Sequence, residues 1–118
     1  MSIQAYQRVN QQAEPARQTE YRAFAEATRS LMAANDNRTD IAAVADALLR
    51  NRRLWSILAA DCAQPGNALP EQLRASIISL SIFIDKHSSA VIRENADLDV
   101  LIDINRTIMQ GLAGDARE

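Results

Sequence analysis

DIAAVADALLRNRRLWSILAADCA, residues 40–63, decides the class of fold. Ile41, Val44, Leu48, Asn51, Trp55, Leu58 and Cys62 recur at steps of three and four. That spacing keeps side chains on one face of an α-helix. Thr39 or Asp40 supplies a capping oxygen at its start. On this stripe Trp55 reads most simply as core, and Cys62 as a small buried hydrophobe. Asn51 is polar on an apolar stripe, as is Asn105 farther along. A buried asparagine can fix helix register, or it can mark where a bundle opens.

Outward from this helix, polar breaks fall at Glu14-Pro15, 35–40, 64–70 and 93–97. Pro65-Gly66-Asn67 is a turn, not a phosphate-binding loop. Between the breaks the spacing predicts helices over about 16–34, 40–63, 70–93 and 97–112. Tyr21, Phe24, Thr28 and Leu31 form the first stripe, with Ala25 and Met32 beside it. Pro70 suits the first turn of the third helix, and Asp97 can cap the fourth, with Gly111 or Gly114 ending it. A short glutamine-rich helix over about 3–13 precedes them. No segment alternates with period two. The expected fold is all-α: an antiparallel bundle of four longer helices plus a short N-terminal helix, in one domain spanning residues 1–118.

Composition agrees. Hydrophobic residues make up 47% of the 118, enough for a packed core, while three glycines and three prolines leave long helices uninterrupted. The net charge of −2 argues against nucleic acid and against membrane surfaces as bulk electrostatic partners. Up to Arg53 there are eight arginines and six acids; from Leu54 on, five bases and nine acids. One cysteine excludes an internal disulfide. The first residues lack a signal-peptide core and no apolar run approaches membrane-spanning length, so the chain reads as cytoplasmic.

Chemistry finds little to work with. One histidine and one cysteine, on different helices, do not make a metal site. Glu94, Asp97, Asp99 and Asp103 lack calcium-loop spacing and suit the positive end of a helix dipole instead. A nucleophile at Cys62 or a serine would need His87 beside it, yet all sit on packing stripes. Neither an enzyme nor a cofactor is expected. Arg50, Arg52 and Arg53, with Arg38, are the only basic grouping, and an aromatic content of 4% offers few stacking platforms for bases.

The surplus is apolar. Beside its core stripe, the helix of residues 40–63 carries Leu49, Arg53 and Ile57 four apart on another face. The next helix has a main stripe of Leu73, Ile77, Leu80, Ile84, His87 and Val91. It also has a second line at Ile78 and Ile82, with Phe83 alongside. An ordinary bundle helix has one apolar face. Either these two helices are central and covered all round, or part of the second stripe is an open groove for a partner helix.

The motifs AYQ (5–7), EYRAFAEATRSLM (20–32), NRRLW (51–55), DC (61–62), PGNALP (65–70), LRASIISLSIFIDKHSSAV (73–91) and LIDINRTIMQGL (101–112) resemble the FlaF family of flagellar biosynthesis proteins from alphaproteobacteria. The resemblance runs in order over nearly the whole chain. It implies a cytoplasmic, non-enzymatic protein of flagellum assembly that binds flagellin as an export chaperone. It also implies a functional link to FlbT, a post-transcriptional regulator of flagellin.

Together the two readings predict helix-in-groove binding of flagellin. The anchors would be Leu49, Trp55, Ile57, Ile104, Ile108 and Met109, with Arg52 and Arg53 at the rim. The rival reading is a regulator of flagellin translation, acting on the message directly or with FlbT and without binding flagellin.

Overall fold

The computed structural model describes residues 3–114, and the side chains of residues 20–111. It contains four helices: α1 (Ile3–Asp36), α2 (Ile41–Cys62), α3 (Glu71–Glu94) and α4 (Asp99–Gly114). Among the described residues there is no strand, so the class is all-α. The separate short N-terminal helix is not supported. Ile3–Asp36 is one element of 34 residues that runs through Pro15. Proline removes one backbone donor from a helix interior, but its φ is already helical. The glutamines, alanines and arginines around Pro15 are good helix formers and carry the turn across it.

Neighbours run antiparallel across short connections. α1 packs on α2 and on α4, and α2 packs on α3. Side chains fix the direction of the α1–α4 pair: Met109 Sδ lies 3.8 Å from Thr28 Oγ1, while Asn35 at the far end donates to Asp99 at 2.9 Å. α3 and α4 form no comparable close seam.

The helix ends obey local chemistry. Asp40 caps α2, its carboxylate accepting from the Ala43 amide at 3.1 Å. Pro70 occupies the N-cap of α3, one residue before the first turn expected for it. Asp97 accepts from the Asp99 amide at 2.9 Å, which starts α4. Asn95 ends α3 in the left-handed region, with φ at 56°. Its side chain then accepts from Arg38 at 2.8 Å, and Arg38 also reaches the Ala96 carbonyl at 3.2 Å. One arginine therefore ties the α1–α2 loop to the α3–α4 loop.

Phe24, Leu31, Trp55, Ile84, Leu98 and Leu101 form the centre of the core. Phe24 meets Trp55 edge to face, centroids 5.4 Å apart. Within this apolar volume sits a polar chain. Asn105 accepts from Trp55 Nε1 at 2.8 Å, and its amide nitrogen donates to Asn51 at 2.8 Å and to Thr28 at 3.1 Å. Thr28 passes its own hydrogen to the Phe24 carbonyl at 2.6 Å. Both asparagines are fully buried, so they lock register and do not mark an opening. The Asn51 amide nitrogen is left without a partner.

The stripe of α2 is buried from Val44 through Cys62, but Ile41 in its first turn is 72% exposed. Tyr21 on α1 and Leu73 on α3 also face out, while Ser88 is buried in the core, as its reading as a small packing residue expects.

Replacing Asn105 by leucine keeps the volume but strands the Trp55 N–H, with Asn51 and Thr28 losing their donor. Urea unfolding should show a loss of about 2–4 kcal/mol. Thr28→Val, nearly isosteric, should cost about 1 kcal/mol. An Asn105→Leu protein as stable as the parent would remove the network as the source of register.

Candidate partner-binding surface

The eight residues expected at a partner surface do not gather in one place. Leu49, Arg53 and Ile57 do. With Leu54 and Arg50 of α2 and Ala23, Glu26 and Ala27 of α1, they line an open cleft of about 350 Å³ on the outer side of the α1–α2 pair. Small residues explain why a cleft exists. Ala23 and Ala27 stand four apart on α1 and make a low wall, while the i, i+4, i+8 row on α2 makes a high one. Leu49 is 45% exposed and Ile57 70%.

Trp55 is 1% exposed. It lies behind this surface, held by Phe24 and Asn105, and is not available as a docking anchor. Its place on the core stripe, not its residue type, decides this. Arg52 points to the other side of α2, where Nε and Nη2 both donate to one oxygen of Asp85, at 2.9 and 2.7 Å. Ile104, Ile108 and Met109 are half-buried on α4 and packed against the core. Sequence reasoning missed the α1 side of the cleft. Ala23 and Ala27, close to Phe24 in the sequence, carry too weak a periodic signal to have marked it.

The two central helices are not covered all round. On α3, Ile82 and Phe83 are exposed, as is Ile92 near its end. α3 is also long and apolar enough, by length and composition, to cross a membrane, with a mean hydropathy of 1.2 over its most apolar stretch. This corrects the expectation that no segment reaches that length. The reason is the second stripe, which adds isoleucines to faces that a bundle helix normally makes polar.

The charges around the cleft are balanced. Arg50 and Asp46 make a loose exposed pair at 3.8 Å. Glu26 and Arg53 line opposite walls, and neither has an ion-pair partner among the described residues. Because Arg50 and Arg52 already face carboxylates, the three neighbouring arginines do not add up to a free basic face.

His87 and Cys62 have structural surroundings. His87 Nε2 lies 2.6 Å from the Asp97 carbonyl, which can only accept, so that nitrogen carries its hydrogen. The ring stacks on Phe83 at 5.4 Å. No group of three metal-ligating side chains occurs among the described residues. Burial raises the Cys62 thiol pKa; Asp61 and Glu20 raise it further, and Arg74 opposes them. A raised folded-state value favours the neutral thiol, so this stabilisation is complete below the unfolded pKa and fades as pH climbs through the folded one. A thiol reagent at neutral pH should label native Cys62 at least tenfold more slowly than the unfolded chain. Equal rates would place Cys62 at the surface.

No curated protein and no solved structure matches the chain. The family model described as flagellar protein FlaF matches residues 2–112, nearly the whole length. The chain belongs to the FlaF family of flagellar proteins.

Proposed function

We propose that this protein is a cytoplasmic, non-catalytic chaperone for flagellin that holds an amphipathic flagellin helix in the α1–α2 cleft before export. The observation that carries this reading is the exposed Leu49–Arg53–Ile57 row above a low alanine wall, in a chain of a flagellar family. An amphipathic helix laid there buries its apolar ridge against Leu49, Leu54 and Ile57. Arg53 lays its stem along the same surface and keeps its guanidinium for a carboxylate on the helix flank. Ile104, Ile108 and Met109 act from behind, keeping α4 seated on α1. FlbT is a second partner under this proposal.

The rival reading, direct regulation of flagellin message, draws less support. It needs a basic face, and two of the three clustered arginines are engaged with carboxylates.

Calorimetric titration with monomeric flagellin, full length and truncated at either end, tests the proposal. Binding at about micromolar Kd is expected, lost with one truncation. Leu49→Asp and Ile57→Asp, both at exposed positions, should each weaken it at least tenfold without changing helix content. Failure of every flagellin form to bind would sink the reading. Binding of flagellin message instead, falling steeply with salt, would favour the rival.

A further inference from the structure

The α1–α2 cleft is complementary to itself. Phe24 on α1 lies against Trp55 on α2, and Thr28 and Asn51 both meet Asn105. In this antiparallel register Glu26, two residues on from Phe24, is level with Arg53, two residues back from Trp55. The two unpaired charges of opposite sign therefore face each other's level across one trough. Ile57 is level with residues 22 and 23, next to the low wall of Ala23.

A two-fold axis running along the trough leaves position along it unchanged and exchanges its walls. It sets the Glu26 wall of one copy over the Arg53 wall of the other, twice. The same operation lays α1 of one copy antiparallel on α2 of the other, a near-aligned arrangement that helices favour. It also places the exposed Ile57 of each copy above the alanine wall of the other. The lining carries two acids, Glu26 and Asp46, and two arginines, Arg50 and Arg53, so bringing two copies together meets no net repulsion.

From this geometry we infer that two copies of the chain associate face to face through the α1–α2 cleft, with Glu26 of each against Arg53 of the other. The inference goes beyond the flagellin reading and stands without it. Where both hold, the dimer covers the cleft until flagellin displaces the second copy.

Sedimentation equilibrium over roughly 1 µM to 1 mM tests it. Reversible dimerisation is expected. Glu26→Arg and Arg53→Glu should each weaken it on the order of tenfold, because symmetry turns two attractive pairs into two like-charge contacts. The double variant exchanges the charges and should restore association to within about threefold of the parent. Ile57→Asp should abolish it. All three positions carry exposed side chains, and circular dichroism checks that the fold persists.

A monomer over the whole range overturns the inference. So does a dimer indifferent to both single changes, which would lie elsewhere, as on the exposed face of α3. So does a double variant that fails to recover. A monomer that still binds flagellin through Leu49 and Ile57 leaves the chaperone reading intact and removes this one. A charge-swappable dimer that ignores flagellin does the reverse.

Discussion

Asn105 is the residue on which the arrangement depends. From α4 it accepts from Trp55 and donates to Asn51 on α2 and Thr28 on α1. Apolar side chains tolerate sliding by a fraction of a turn; a buried amide with three directed partners does not. A slip of α1 against α2 would strand several polar groups away from water, each costing about 1–3 kcal/mol. The level at which Glu26 faces Arg53 is a consequence of this lock. The Asn51 amide nitrogen goes without a partner, a cost the register tolerates.

α3 lies outside that lock. It is held to α2 by Ile77, Ile84 and Val91, by the Arg52–Asp85 pair, and by Ser81, which donates to the Trp55 carbonyl at 3.4 Å. Its other faces carry Ile82, Phe83 and Ile92, exposed among the described residues. The apolar surplus is thus split between the charged cleft on α1–α2 and these three side chains of α3.

Much of this was legible in the sequence, residue by residue. The α2 stripe from Val44 to Cys62 is buried as its spacing demands, because steps of three and four admit one face only. Ile41 fails because it sits in the first turn, beyond the reach of neighbouring helices. Trp55 could be read as core or anchor from type alone, and only its stripe position favoured core. The joining of α1 through Pro15 was not legible, since a proline reads locally as a break. Leu49, Arg53 and Ile57 were visible as a row; the opposite wall was not. Alanines carry no periodic signal strong enough to say that two helices leave a trough between them.

The way α4 meets the rest has a consequence for synthesis. Its partners in the core lie far back in the chain: Thr28 is 77 residues before Asn105, and Trp55 is 50 before it. α1, α2 and α3 leave the ribosome with Asn51, Thr28 and the Trp55 indole still facing water or one another. Local helix pairs can form then, but the polar chain closes only when Leu98 to Asn105 emerge. Until then the inner face of α1 and α2 lacks the side chain that completes its polar chain. α4 is the element that seals it.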